Sequence, residues 1–157
     1  MSRRKVSKEL WLALEPLIPE FVASPKGGRR RSVNDRAALS GILYVLHTGI
    51  PWEDLPQELG FGSGMTCWRR LRDWQAGGVW DKLHRAMLVR LREHVARKGI
   101  ESRERLGRYR WVVERTHAWF AGFGKIRVRF ERRLDIHCAL LSLAASIICA
   151  RFVDDLC

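Results

Sequence analysis

The stretch Cys67–Trp80, which reads CWRRLRDWQAGGVW, predicts two consecutive helices joined by a glycine pair. Trp68, Leu71 and Trp74 recur at helical spacing and predict the inward face of the first helix. Gly77-Gly78 ends that helix, because glycine readily adopts the left-handed conformation that follows a helix. A second helix is predicted by the apolar positions that recur over about four turns, namely Trp80, Leu83, Met87, Leu91 and Val95.

Two more helices are predicted on the N-terminal side. Ser7 and Asn34 can each cap one of them, since a side-chain oxygen there accepts a hydrogen bond from a free backbone N–H group. Ser63 or Thr66 can start the third helix, which contains the stretch described above. Gly49-Ile50-Pro51 ends the second helix, whose apolar stripe comprises Ala38, Leu39, Ile42, Leu43 and Leu46.

Helices separated by short Gly/Pro turns, with the third one basic, match the organisation of helix-turn-helix proteins. In such a fold the third helix enters the major groove, so Arg69, Arg70 and Arg72 are candidate DNA-binding residues. The alternative is an ordinary helical bundle with a basic exposed face. Residues 1–95 are therefore predicted as a helical DNA-binding unit, in which Trp52–Pro56 forms a short turn or a single helical turn.

A strong positive charge narrows the class of partner. The chain has 157 residues and a formal net charge of +12, which points to nucleic acid before protein partners. The rival partner is an acidic membrane surface. Its candidate segment is Ile136–Phe152, which is the most apolar part of the chain and lies at the short limit for a membrane span. Because His137, Ser142 and Ser146 interrupt this segment, we expect a buried helix and no membrane association.

The N-terminus and the cysteines bear on the cellular compartment. Met1–Lys5 is followed by an amphipathic stretch and not by the apolar region of a secretory signal. No pair of cysteines has the close spacing of zinc ligands, so reduced thiols are expected and zinc is disfavoured. We therefore expect a cytoplasmic protein.

A basic linker separates the first two predicted helices. Ser24–Arg31 combines glycine with a run of charge at Arg29, Arg30 and Arg31. Mobile arms of this kind track phosphates or enter a minor groove. The alternative is a solvated loop, so these three arginines are candidate DNA-binding residues only under the first interpretation.

The composition changes after Lys98-Gly99, where a region dense in basic residues begins. Within it, Glu114 is the one acid of Arg108–Thr116, and the pattern predicts a helix from about Leu106 to Phe120. A carboxylate there can bind a metal ion, whereas the alternative is an ordinary ion pair with Arg110 four residues earlier. Further candidate DNA-binding residues in this region are Arg108, Arg115, Lys125 and Arg127.

Two elements are predicted after that helix. Lys125–Phe130 alternates basic and apolar residues, which is typical of a short strand or an extended segment. Asp135 can cap the last helix, which is apolar nearly all round and therefore buried. His117 follows Glu114 by three residues, so a Glu-x-x-His metal site is conceivable, although a satisfied surface or buried histidine is the commoner role.

Several long stretches closely resemble bacterial insertion-sequence-five family transposases. Leu43–Pro56 and Trp68–Trp80 match the family's N-terminal domain. Leu106–Thr116, continuing through Arg127–Arg133, matches the C-terminal end of its catalytic domain. The resemblance covers nearly the whole chain. It implies a bacterial protein at the nucleoid, with double-stranded DNA at the element ends as partner, and a homo-oligomer or a full-length transposase as further partners.

The resemblance also implies a role for Glu114. The family is similar to other DDE transposases, in which two aspartates and one glutamate on a ribonuclease-H-like core hold divalent metal ions, normally Mg²⁺. By motif, Glu114 matches the third acid, and Arg110 matches its basic partner one turn earlier. The sequence departs from the pattern at two places, since Gly107 stands where a tyrosine is expected and Gly124-Lys125 stands where a pair of arginines is common.

Most of the family's catalytic sheet has no counterpart in this sequence. The strands with the two aspartates would lie between the Val79–Val95 helix and Arg103–Glu114, where neither aspartate motif appears. The chain therefore resembles a transposase with an in-frame internal deletion near Ala96–Gly99. One carboxylate cannot hold two Mg²⁺ ions, each of which needs several oxygen ligands. We therefore expect an incomplete metal site at Glu114 that does not stably bind Mg²⁺.

The predicted fold is mainly α. Residues 1–95 form a helix-turn-helix-like domain, and residues 96–157 form a helical remnant of the ribonuclease-H-like catalytic domain. Three functions stay open. The chain binds insertion-element DNA for transposition but is catalytically incomplete, or it regulates or inhibits the full-length transposase, or it is a decayed fragment without a function.

Overall fold

The computed structural model describes residues 6–22, 25, 33–97, 110–128 and 131–156, without side-chain detail for 94–97, 110–115 and 154–156. Within these ranges the chain is helical and contains no strand, which confirms the mainly α prediction. Short 3₁₀ turns at Glu15–Leu17, Trp52–Asp54 and Gln57–Leu59 connect the first helices. The α-helices are α1 (Lys8–Leu14), α2 (Asp35–Thr48), α3 (Gly64–Ala76), α4 (Val79–Arg97), α5 (Arg110–Ala121), α6 (Gly124–Arg127) and α7 (Leu134–Leu156).

The predicted helix starts on the N-terminal side are confirmed by their caps. The Ser7 hydroxyl accepts from the Leu10 N–H at 3.1 Å, and the Asn34 side chain accepts from the Ala37 N–H at 2.7 Å. Ser63, not Thr66, begins α3 by accepting from the Thr66 N–H at 3.2 Å. Each cap satisfies a backbone donor that has no partner inside its own helix.

One hydrophobic core runs through the helices from α1 to α7. α2 contributes its predicted apolar stripe, and α3 contributes Leu71 and Trp74. The Trp74 and Trp80 rings meet edge to face with their centroids 5.6 Å apart, and the Trp80 indole donates to the Leu71 carbonyl at 3.2 Å. These contacts fix α3 against α4, so the exposed side of α3 is presented on a rigid support.

α7 fits the prediction of a buried C-terminal helix. It packs chiefly along α4 and also against α3, and it buries Ile136, Leu140 and Leu143 completely. Among the described residues it holds the one stretch long and apolar enough to cross a membrane, Leu134–Val153, which has a mean hydropathy of 1.9 and is half buried inside the fold. The predicted start was wrong, because the helix begins at Leu134 and Asp135 instead accepts from Arg133 at 2.7 Å.

The segment Lys125–Phe130 was predicted as extended, and that prediction was wrong for its first half. The Phe123 carbonyl accepts from the backbone N–H groups of Ile126 and Arg127 at 3.0 and 2.9 Å, which closes the helical turn α6. Phe123 is 1% exposed, so burial of its ring anchors this turn in the core. The last two residues of the segment lie outside the described ranges.

The division of the chain at residues 95 and 96 stays a prediction. Both predicted parts contribute side chains to the same hydrophobic core, since α7 covers α4 and α3. The predicted helix before Gly122 is present as α5, while residues 106–109 at its predicted start lie outside the described ranges.

Candidate nucleic-acid interface

The three arginines of α3 have three different environments. Arg69 is exposed, Arg70 is buried at 5% exposure, and the Arg72 side chain is 40% exposed. The difference follows from helix geometry, because positions 67, 70, 71 and 74 lie on one face of an α-helix. Cys67, Leu71 and Trp74 occupy that face in the core, so Arg70 must point into the protein with them.

Arg70 holds the fold together and does not extend toward solvent. Its guanidinium forms an ion pair with Asp35 at the start of α2 and donates to the Val33 carbonyl at 2.7 Å. The expectation that Arg70 reaches DNA is therefore not supported. A buried guanidinium needs several acceptors to offset its lost hydration, and here they come from the residues that precede and begin α2.

A group of exposed basic side chains surrounds Trp68, and we name Trp68, Arg72 and Arg133 the Trp68 cluster. The guanidinium carbons of Arg72 and Arg133 lie 5.5 and 5.4 Å from the centroid of the Trp68 ring. Both distances are within the range of cation–π attraction. Each arginine is also held by a neighbouring carboxylate, Asp73 at 2.8 Å and Asp135 at 2.7 Å.

Arg133 was not among the predicted site residues. It lies just before α7, far from α3 in sequence, and half of its side chain is exposed. The neighbouring Asp135 carboxylate raises the pKa of Arg133, and the Arg133 guanidinium in turn lowers the pKa of Asp135. The available signal is that Arg133 ends the region Arg103–Arg133, which is rich in basic and aromatic residues, but no local pattern shows that Arg133 meets Trp68 on α3.

Lys125 is part of an internal contact that we name the Glu131 junction, formed by Ile50, Trp52, Lys125 and Glu131. The Lys125 ammonium is 3% exposed, donates to the Ile50 carbonyl at 3.1 Å and lies 3.8 Å from a Glu131 oxygen. The same Glu131 oxygen accepts from the Trp52 indole at 2.6 Å. Burial lowers the pKa of Lys125, and the Glu131 charge opposes that shift. The expected DNA contact of Lys125 is therefore not supported either.

Close backbone contacts surround the Glu131 junction. Gly49 ends α2 with φ +78°, and a Cβ there would stand 2.8 Å from the Gly124 backbone. A Cβ on Gly124 would in turn stand 2.7 Å from the Thr48 carbonyl oxygen. α6 can therefore pack against the end of α2 only because both positions are glycine. These contacts join the C-terminal end of α2 to the start of α6.

The remaining predicted residues divide into two sets. Arg127 is exposed on α6, as a DNA contact would require, and His117 is exposed on α5. Glu114 and Arg110 belong to α5, but their side chains lie outside the described ones, as does that of Arg115. Residues at the predicted basic linker and upstream of α5 lie outside the described ranges, namely Arg29, Arg30, Arg31 and Arg108.

The described side chains contain no cluster of three or more typical metal ligands. Among them, no three His, Cys, Asp or Glu residues lie close enough together to hold a metal ion. Mg²⁺ requires near-octahedral oxygen coordination. Glu114 is outside this set, so its predicted role as the third acid stays a prediction.

Comparison with known proteins identifies relatives of the chain. Residues 6–84 match the family described as "Putative transposase of IS4/5 family". The chain is 54% identical over 97 residues to an uncharacterized 16.2 kDa protein of insertion element IS402 from Burkholderia cepacia, a match that covers 59% of this chain and 63% of that protein. It is also 54% identical over 55 residues to a sequence named as a transposase of the same element, which covers 35% of this chain and 26% of that protein.

The chain spans less than two thirds of the length of either relative. No solved structure matches it. The family match runs from the residue before the Ser7 cap to the second turn of α4, so it contains all of α2, α3 and the Trp52 turn. On this match, which covers half of the sequence, the chain belongs to the IS4/5 transposase family.

Proposed function

We propose that the protein binds the DNA of its insertion element through α3, with Arg69 and Arg72 as the principal contacts. The observation that carries this proposal is the arrangement of α3, in which one face is fixed in the core by Arg70, Leu71 and Trp74 while Arg69 is exposed. A rigid helix with exposed arginines is suited to contact phosphates and base edges. The net charge of +12 supports the same class of partner.

We further propose that this chain does not itself cut or join DNA. The support is chemical, since cleavage in the family uses three carboxylates and two metal ions, and the sequence retains a match to the third carboxylate alone, Glu114. The test is incubation of a supercoiled plasmid carrying the element ends with the chain and Mg²⁺. Nicking that is lost in Glu114→Ala would contradict this part of the proposal.

The DNA-binding proposal is tested by titrating the purified chain onto an element-end duplex and onto a scrambled duplex across a salt series. Specific binding predicts tighter association with the element ends, on the order of 10³-fold at about 150 mM salt. Equal binding to the two duplexes that weakens steeply with salt would show that only nonspecific attraction to phosphates contributes. That result would favour a decayed fragment. Absence of binding to either duplex would overturn the proposal.

A matched pair of variants separates the roles of neighbouring arginines on α3. Arg69→Ala should weaken binding without lowering the midpoint of thermal unfolding, because its side chain is exposed. Arg70→Ala should lower that midpoint, because it removes the buried partner of Asp35. Equal effects of the two variants on DNA binding, with unchanged thermal stability in both, would contradict these assignments.

A second candidate function is regulation of a full-length transposase. One insertion element encodes both relatives reported above, an uncharacterized protein and a transposase, and this chain matches each at the same identity. A short family member could then occupy element ends or enter mixed oligomers. Co-expression with a tagged full-length copy tests the second route, and failure to co-purify would exclude it.

A further inference from the structure

The Trp68 cluster joins two parts of the chain that are distant in sequence. Trp68 and Arg72 belong to α3, whereas Arg133 precedes α7. Both guanidiniums approach the same indole ring, at 5.5 and 5.4 Å. The C-terminal segment therefore places an arginine beside the helix that we propose as the DNA-binding element, and Arg132 next to it is also exposed.

We propose that Arg133 and Arg132 belong to the same phosphate-binding surface as Arg69 and Arg72, so that the duplex extends from α3 onto the segment before α7. This inference rests on the proposed function and names residues outside α3 that take part in it. It assigns a binding role to a segment that the family match, which ends at residue 84, does not include.

The Trp68 ring prepares both arginines for phosphate. A guanidinium held near an aromatic face keeps N–H donors available at its edge, and the contact limits the rotamer freedom that would otherwise be lost on binding. The ring thus positions a pair of cations whose donors can be shared with phosphate oxygens. Arginine is suited to this because its planar group binds phosphate with two parallel hydrogen bonds.

The acidic partners of the cluster do not prevent this role. Asp73 and Asp135 have side chains that are 51% and 43% exposed, and ion pairs so open to solvent are weak. A phosphate can therefore displace either carboxylate or share its guanidinium. The two carboxylates would still repel the DNA backbone, so removing one negative charge should strengthen binding.

The test compares the binding of a duplex by the full chain and by single variants across a salt series. Arg133→Gln should weaken binding on the order of 3- to 10-fold at low salt and reduce the slope of log K against log salt by about 0.9, the value for one lost phosphate contact. Asp135→Asn should strengthen binding. Arg132→Gln should act in the same direction as Arg133→Gln.

Arg85→Gln is the matched control. Arg85 is exposed on α4 and lies two residues from both Leu83 and Met87, which are buried, so it projects from the opposite side of that helix. The Arg85→Gln substitution removes the same charge from the chain as Arg133→Gln does, but it leaves the Trp68 cluster unchanged. Thermal unfolding of every variant, followed by circular dichroism, shows whether the fold is retained.

The outcomes distinguish this inference from the proposal beneath it. If the wild-type chain binds no duplex, the proposed function fails and this inference fails with it. If the wild type binds and Arg69→Ala weakens binding, but Arg133→Gln matches Arg85→Gln in affinity and slope, the inference alone is overturned. Weaker binding by Asp135→Asn would also overturn it. A loss in Arg133→Gln together with a gain in Asp135→Asn would support it.

Discussion

Gly64 is the residue at which α3 touches the Trp52 turn. A Cβ built on Gly64 would overlap the carbonyl oxygen of Trp52, and backbone cannot move aside as a flexible side chain can. Gly77, after the other end of α3, has φ −78° and no atom nearer than 3.7 Å to its hypothetical Cβ. The two glycines lie at opposite ends of the same helix, but other backbone atoms approach Gly64 far more closely than Gly77.

We predict that Gly64→Ala lowers the free energy of unfolding by about 2 kcal/mol or more, because the added methyl overpacks a backbone contact. Gly77→Ala should change it by less than about 0.5 kcal/mol. Urea denaturation of both variants measures the difference. Equal stabilities would show that the contact between α3 and the Trp52 turn is absent or readily yields.

Cys67 gives a prediction about pH. Burial raises the pKa of its thiol from 9.0 to about 11, although the Arg70 charge opposes the shift. The folded state therefore favours the neutral thiol, which donates to the Phe61 carbonyl at 3.5 Å. Unfolded chains ionise first, so this contribution to stability is complete below about pH 9 and is lost as the pH rises toward 11.

The stability of the wild type should accordingly fall between pH 9 and pH 11, and Cys67→Ala should show a smaller fall over the same interval. Cys138→Ala is the control, since that thiol is exposed. Urea midpoints at a series of pH values provide the measurement. A profile for Cys67→Ala that is parallel to the wild type would remove Cys67 as the cause.

At the scale of the elements, local signals were sufficient for the helix starts capped by Ser7, Asn34 and Ser63, but not for the start of α7 or for contacts between helices. Ser7 and Asn34 were predictable because a cap depends on residues within one turn. The buried position of Arg70 also has a local signal, because Arg70 shares the spacing of the core face of α3. The prediction overlooked that signal and grouped Arg70 with the exposed arginines. Lys125 has no such signal, because its partners at Ile50 and Glu131 are set by tertiary packing.

The Glu131 junction shows why the rest of the candidate site could not be predicted. Trp52 and Glu131 share a hydrogen bond although they are 79 residues apart in sequence. No helical or strand periodicity in the sequence indicates that these two residues are in contact. The alternation in Lys125–Phe130 predicted a strand, yet Phe123, two residues before Lys125, is buried and its carbonyl closes a helical turn. Tertiary contact overrode a short periodic signal here.

We predict that Glu131→Ala destabilises the protein by about 2 to 4 kcal/mol, because it removes the charge that offsets buried Lys125 and the acceptor of the Trp52 indole. Glu131→Gln should cost less, since its amide oxygen can still accept from Trp52. Glu58→Ala removes an exposed carboxylate from a 3₁₀ turn and should be nearly neutral. Urea denaturation ranks the three, and a result in which Glu58→Ala costs as much as Glu131→Ala would contradict the junction's importance.

At the scale of the whole molecule, the shared core raises the question of whether the parts on either side of the predicted boundary at residue 95 unfold together, which can be tested. α7 fills the side of α4 that carries Leu83 and Met87. If the two parts depend on each other, a change in α7 should unfold the tryptophan-rich N-terminal part as well. If they are independent units, that part should keep its own transition.

We predict that Leu140→Ala lowers the free energy of unfolding by about 2 to 5 kcal/mol, and that tryptophan fluorescence and circular dichroism shift together in one transition. Leu134→Ala is the control, since Leu134 is 65% exposed at the start of the same helix. An early transition by circular dichroism alone, with the fluorescence transition unchanged, would establish two independent domains.

The packing of α7 against α4 also has a consequence for synthesis on the ribosome. The buried residues of α4 have all been made by residue 87, but the buried residues of the helix that covers them extend to Ala150. At bacterial and eukaryotic elongation rates of about 5 to 20 residues per second, roughly 3 to 13 s pass between synthesis of residue 87 and synthesis of residue 150. During that interval the uncovered face is open to chaperones, so slowing translation between α4 and α7 should lower the yield of soluble protein.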